Sequence, residues 1–289
     1  PPRSTPKPSS AASDVYKRQA LIGPLAKDKK NIIGSWAAAG DRNGKAISIF
    51  QGIKEYLDDS NIMFAQGCDI ESNDYSRFDK AVNIAKKADK IIMVLGEDYN
   101  MSGEAASRTN IKLPGIQTQL IKTIRDELPN KPIILVLMNG RPLDLTIEDS
   151  LADAILEVWY PGTSGGLGVA DILFGKYNPS AKLPITFPRN LGQVPIYYNQ
   201  KNTGRPISKE NPTEDYKSNY IDSPNTPLYP FGHGLSYTTF KYSEIKLSSD
   251  KVKESEILKA SSTITNTGDF DGHEVVQLYI RDKVGSITR

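Results

Sequence analysis

Lys90–Leu95 reads KIIMVL and runs directly into Gly96–Arg108, GEDYNMSGEAASR. The first piece has the length and uniform apolarity of a strand buried on both faces, and the second is a polar loop. Loops that leave the carboxyl ends of strands are where α/β proteins place their chemistry. This one carries Glu97, Asp98 and Glu104, with Arg108 four residues beyond Glu104. Carboxylates crowded on one loop can have their pKa values pushed apart, as acid/base catalysis requires. They can equally cap the next helix in a solvated turn. Arg108 is placed to pair with a carboxylate or to hold a substrate hydroxyl, and also reads as an ordinary surface arginine.

Outward from this stretch the chain alternates strand and helix signals. Ala20–Ile22, Ile62–Ala65, Ile91–Leu95, Pro132–Met138 and Ile155–Trp159 read as strands. Between them, Ala46, Ile49, Phe50, Ile53 and Leu57 recur at helical spacing, as do Phe78, Ala81, Val82, Ala85 and Ala88. Leu120, Ile121, Ile124 and Leu128 form another helical stripe, and Gly165–Phe174 a further helix. Such alternation argues for an α/β fold: a mainly parallel sheet covered by helices on both faces, with right-handed crossovers. From about Arg189 to Tyr229 the periodicity fades into Asn, Pro, Tyr, Lys and Ser. The pattern then turns to β at Tyr242–Leu247, Ile257–Thr265 and Glu274–Ile280 (EVVQLYI), with a turn at Asn266-Thr267-Gly268, as in an antiparallel sandwich.

The expected organisation is thus a leader over 1–19, an α/β domain over 20–188, a long loop or linker over 189–240 and an incomplete β-module over 241–289. The leader, PPRSTPKPSSAASDVYKRQ, has no apolar periodicity and reads as disordered; it looks more like translated adaptor sequence than a native segment. The β-module reads as cut through its middle. Over all 289 residues, 36 basic and 34 acidic side chains are interspersed for a net charge of +2, so neither a nucleic-acid nor a membrane partner is expected. One cysteine, Cys68, and two histidines are too few for a metal centre, and no metal or cofactor is expected. Cys68 follows FAQG in an apolar setting and reads as a packed thiol.

Other motifs compete with the carboxylate loop. The turn after the first strand lacks the glycine and Ser/Thr of a phosphate-binding loop: Ala39 and Ala46 stand in those places. Gly162-Thr163-Ser164-Gly165-Gly166 matches the G-x-S-x-G nucleophile elbow, which would make Ser164 an esterase nucleophile with His233 as its base. Trp159-Tyr160-Pro161 separates this motif from its strand and spoils the sharp turn, so these glycines also read as a close helix approach. Asn139-Gly140-Arg141 ends the most buried strand, and Arg141 there either orders the neighbouring acids or, the preferred reading, makes an ordinary structural ion pair. A sugar-binding module, with Tyr197, Tyr198 and Tyr220 stacking on sugar rings, is a non-enzymatic alternative.

Several ordered blocks then carry a resemblance: GEDYNMSGEAASRTNIKLP, LVLMNGRPL, ILEVWYPGTSGG, ADILFGKYNPSAKLPITFPR and PLYPFGHGLSYTTF. From about Ala20 onward the chain resembles glycoside hydrolase family 3. The resemblance implies a six-stranded α/β sandwich domain followed by part of a fibronectin type III-like domain, with the family's amino-terminal (β/α)8 barrel outside the chain. It implies a retaining β-glucosidase that removes terminal β-linked glucose from oligosaccharides or glycosides, in a periplasmic or secreted location. In such enzymes an Asp on the barrel is the nucleophile and a Glu on the sandwich domain is the acid/base. By that resemblance the acid/base is Glu104, exposed in this chain and buried only against the barrel; Glu97 is the second choice, read first as loop support. The chain alone is expected to be inactive.

Overall fold

The computed structural model describes residues 17–37, 44–201, 203–207, 215–282 and 284. Most of the Pro/Ser-rich leader, residues 1–16, lies outside them. Gln19, read as its last residue, instead opens the first strand, fully buried, and Arg18 pairs with Asp89 at 3.1 Å.

Five parallel strands form the central sheet: β1 (Gln19–Ile22), β2 (Ile62–Ala65), β3 (Lys90–Gly96), β4 (Ile133–Met138) and β5 (Ala154–Glu157). Their order is β2-β1-β3-β4-β5, one strand fewer than the resemblance implies. The chain after the last helix of this layer does not add a sixth. It pairs instead with a returning stretch, through Phe187 N to Tyr229 O (2.8 Å) and Leu183 N to His233 O (2.7 Å).

The strands are buried on both faces because their apolar runs are continuous. On β3, Ile91, Met93 and Leu95 enter one core while Ile92 and Val94 enter the other. On β4, Ile133, Leu135 and Leu137 alternate in the same way with Ile134, Val136 and Met138. Helices α2 (Phe78–Lys87), α3 (Gln117–Glu127) and α4 (Thr146–Leu151) flank the first core; α1 (Ile49–Lys54) and α5 (Gly165–Leu173) flank the second. The short α4 has no apolar stripe for sequence periodicity to detect. β5 also ends earlier than its apolar run suggests, at Glu157, and Trp159 beyond it turns into the left-handed region at φ 51°.

Local signals fix the helix ends. Ser48 caps α1 in a reciprocal box: its Oγ accepts from Gln51 N (3.2 Å), and Gln51 Oε1 accepts from Ser48 N (3.1 Å). At the end of α2, Lys131 Nζ donates to the carbonyls of Ala85 (3.1 Å), Lys86 (3.0 Å) and Ala88 (2.6 Å), satisfying groups that lack intrahelical partners. Cys68 is buried, and burial pushes its thiol up to about 12, so it packs as a small apolar group.

Apart from a 3-10 turn at Leu191–Gln193, the described residues between 189 and 239 are irregular, held by Gln193 Nε2 on the Pro224 carbonyl (2.8 Å) and Arg189 Nε on the Thr226 carbonyl (2.9 Å). Two small antiparallel ladders follow: β6 (Phe240–Tyr242) with β9 (Ile264–Asn266), and β7 (Lys246–Leu247) with β8 (Ala260–Ser261). Glu274–Ile280, expected as a strand, joins no ladder. Alternating apolar residues confer the propensity, but a strand also needs a neighbouring edge, and no described segment pairs with it. Among the described residues no helix is long and apolar enough to cross a membrane.

Within the G-x-S-x-G stretch Gly166 serves packing, whereas Gly162 has open space beside it and a left-handed φ of 85°. A Cβ on Gly52 of α1 would stand 1.9 Å from the Gly166 carbonyl oxygen of α5, and Gly166 N donates to Ile47 O at 3.1 Å. The two backbones therefore touch. Gly52→Ala should lower stability by about 1–3 kcal/mol through this clash, although alanine favours an exposed helix by about 1 kcal/mol. Urea unfolding checks it, and an unchanged midpoint would refute the contact.

Candidate active site

The strand order reverses between β1 and β3, because β1 is followed in space by β2 on one side and by β3 on the other. The loops leaving these two strands therefore start in opposite directions at their carboxyl ends, the usual ligand position in open α/β sheets. The Glu97–Arg108 loop leaves β3 there, and the loop containing Asn31, Ser35 and Trp36 leaves β1. They meet: Asn31 Oδ1 accepts from Tyr99 N at 2.8 Å, and Lys30 Nζ lies 4.9 Å from the centre of the Tyr99 ring.

The loop is organised around Glu97, the first residue after β3, which is fully buried. Its Oε1 accepts from Arg108 Nη1 (2.6 Å) and Arg141 Nε (2.9 Å), and its Oε2 from Gly140 N (3.2 Å). Arg141 Nη2 continues to the Ala106 carbonyl at 3.3 Å. One carboxylate thus draws the far end of its own loop and the end of β4 onto the start of the loop. Arg141 plays the structural part expected of it. Arg108 meets Glu97 rather than Glu104, and its Nη2 reaches the Lys112 carbonyl at 3.5 Å.

Glu104 stands at the apex. Ala106 N donates to Gly103 O (3.3 Å), closing a tight turn with Glu104 and Ala105 in its two central positions. The turn is strained: Gly103 has φ 120° and Ala105 φ 56°, a conformation that carries a steric cost for alanine. Glu104 is exposed on this turn. Beside it lies Trp36, 74% exposed, whose Nε1 would be 3.8 Å from a Cβ on Gly103. Sequence reasoning passed over Trp36; the available signal was a lone tryptophan in the polar loop after β1.

The floor of the loop is built from β4 and β5. Tyr160 OH donates to the Asp98 carbonyl at 3.1 Å, and burial pushes this phenol up to about 12, so it stays a donor. A Cβ on Gly140 would fall 2.0 Å from Ser102 Oγ, which makes that glycine a requirement of the close packing. Glu157, partly buried at the end of β5, accepts from Trp159 N (2.9 Å) and Asn139 Nδ2 (3.2 Å). Burial, with the Glu97 charge adding to it, pushes its carboxyl up to about 8 against the effect of those two donors. Asn139 Oδ1 is buried without a hydrogen-bond partner among the described residues.

The nucleophile elbow does not assemble. Ser164 is exposed at the start of α5 with φ −99°, outside the strained turn of a nucleophile elbow. His233 stacks on Tyr229 with ring centres 5.2 Å apart and has no recorded contact with Ser164. Of the tyrosines, Tyr198 stacks on Phe231 at 4.6 Å, while Tyr197 is 63% exposed.

Residues 13–237 match the sequence family described as the glycosyl hydrolase family 3 C-terminal domain. The chain is 45% identical to the periplasmic beta-glucosidase of Salmonella typhimurium, over 93% of this chain and 38% of that protein. It is 37% identical to a beta-xylosidase of Formosa agariphila, over 94% of this chain and 37% of that one. Among solved structures, the beta-glucosidase from Listeria innocua in complex with glucose superposes with a TM-score of 0.86. The identity is 37%, covering 94% of this chain and 37% of the other. The chain therefore spans well under half the length of these relatives.

Two outcomes follow from the geometry. Glu97→Gln strips the partner from two guanidinium groups and should cost about 3–5 kcal/mol, whereas Glu104→Gln on the exposed turn should stay within about 0.5 kcal/mol; denaturant unfolding of both variants tests the contrast. For Glu157, the unfolded chain loses this proton near the ordinary glutamate range while the folded chain keeps it to about pH 8, so its contribution to stability falls as pH rises between those values. Glu157→Gln should raise the melting temperature relative to the parent more at pH 8 than at pH 5. An equal shift at both pH values would contradict this.

Proposed function

The chain belongs to glycosyl hydrolase family 3 through that family's C-terminal domain, and we propose that it carries the acid/base residue, Glu104, of a retaining β-glucosidase. The observation that supports this reading is the contrast between the two candidate carboxylates. Glu97 is fully buried with both oxygens engaged, so it has no access to a substrate. Glu104 is exposed on a strained turn at the carboxyl edge of the sheet, beside the exposed Trp36.

The proposed reaction needs a second carboxylate. In a retaining mechanism the two carboxyl groups lie about 5–5.5 Å apart, one attacking the anomeric carbon and the other protonating the departing oxygen. In this proposal the nucleophile is an Asp on a (β/α)8 barrel that closes over the carboxyl edge of the sheet. Glu104 gives its proton to the leaving glycosyl oxygen, then takes one from the water that releases the sugar. Glu97, Arg141 and Arg108 hold the loop. Of the two roles expected for Arg108, carboxylate partner or holder of a substrate hydroxyl, its engagement by Glu97 and the Lys112 carbonyl supports the first.

The substrate is a terminal, non-reducing β-linked glucose of an oligosaccharide or glycoside. The beta-glucosidase relatives favour glucose, and the periplasmic relative favours a periplasmic or secreted setting. The domain division remains part of the proposal: an α/β domain over 20–188, a linker over 189–240, and the start of a fibronectin type III-like domain over 241–289.

The test is hydrolysis of aryl β-glucosides by the complete barrel-containing protein. Glu104→Ala should reduce turnover by about 10²–10⁴-fold, and the purified chain without the barrel should show none. Full turnover by Glu104→Ala, with loss in Glu97→Ala, would reverse the assignment. Hydrolysis by the chain alone would revive Ser164.

A further inference from the structure

Gln117, the first residue of α3, is fully buried, and its amide serves the loop that carries Glu104. Its Oε1 accepts from Gly96 N at 2.9 Å, and its Nε2 donates to the carbonyls of Gly96 (2.8 Å), Pro114 (3.2 Å) and Ile70 (3.2 Å). Gly96 is the last residue of β3, in register with Met138 of β4. On the other side its neighbour β1 has already ended, because Ile22 pairs with Met93. The Gln117 amide therefore occupies the place of a missing strand and pairs both polar groups of Gly96, as a backbone peptide would.

The second half of the contact set carries the argument further. Pro114 lies at the far end of the loop, just before α3, and Ile70 lies in the connection after β2. The residues that open and close the Glu97–Pro114 loop are thus tied to one buried side chain. The surroundings leave little slack: a Cβ on Gly115, at φ 60°, would stand 2.8 Å from the Ile70 carbonyl oxygen, and one on Gly96 1.9 Å from that of Met138. Glu97 gathers the middle of the loop, but its own position follows from Gly96.

We propose that Gln117 is a positioning residue for Glu104: by stapling both ends of the loop to the edge of the sheet, its amide sets where the acid/base carboxyl stands against the glycosidic oxygen. This inference rests on the acid/base reading of Glu104. Proton delivery depends on placement within about an ångström, so a loosened staple should show as failed acid catalysis and not as general damage.

The experiment uses the complete barrel-containing protein and two substrates that differ in need of a proton. Phenyl β-glucoside has a poor leaving group that must be protonated as the bond breaks, whereas 2,4-dinitrophenolate departs without a proton. Gln117→Met keeps the volume and removes the four hydrogen bonds. It should lower kcat/KM for the phenyl glucoside by about 100-fold and for the dinitrophenyl glucoside by less than about threefold. The ratio of the two values does not depend on how much of the variant is folded. If Gln117→Met yields no folded protein, Gln117→Asn carries the same comparison, because it keeps the amide but withdraws it by one methylene.

Equal losses on both substrates, or none on either, would overturn the positioning role. Glu104→Ala, run beside it, must show the same selective loss. If Glu104→Ala is selective and the Gln117 variants are not, only the inference about Gln117 fails. If Glu104→Ala is not selective, the acid/base reading fails and takes the inference with it.

Discussion

A carboxylate with no water to solvate it must find its donors in the protein, and Glu97 finds three: two guanidinium groups and one backbone amide. That requirement organises the carboxyl edge of the sheet. Arg108 and Arg141 come from different parts of the chain, and neither could leave Glu97 without stranding a buried charge. Their convergence bends the loop back on itself and leaves its apex, with Glu104, in solvent. One acid of the loop is thus buried with both oxygens engaged, and the other is exposed.

The same edge shows how an open parallel sheet makes a site. Continuous apolar strands such as β3 and β4 demand cover on both faces, so helices take the faces and only the strand ends are left for chemistry. The reversal of order between β1 and β3 then separates two loops. Asn31 and Tyr99 reconnect them by one hydrogen bond, which places Trp36 beside the Glu104 turn. Backbone strain at Ala105 and Trp159 lies at this edge, where rigid packing below can sustain it.

Legibility followed the range of the interaction. Strands β1 to β4 and helices α1 to α3 and α5 were readable because apolar spacing is a local property. The six-residue α4 was not, since it contributes no stripe, and Glu274–Ile280 was over-read because a strand's neighbour is not written in its own residues. The G-x-S-x-G stretch carried two readings, and packing decided between them: Gly166 lies against the backbone of α1. Arg108 was recognisable as a carboxylate partner, but its spacing pointed to Glu104 where the fold supplied Glu97.

The sequence by itself determined the α/β class, the strand that ends in the carboxylate loop, and the family to which those blocks belong. All of these rest on residues near one another in the chain, whose pattern survives without three-dimensional context. Only the tertiary structure decided which acid is buried and which exposed, that Gln117 stands in for a missing strand, and that Trp36 flanks the turn. Burial and hydrogen-bond partnership are set by segments up to tens of residues apart, and they come into contact only when both faces of the sheet are closed.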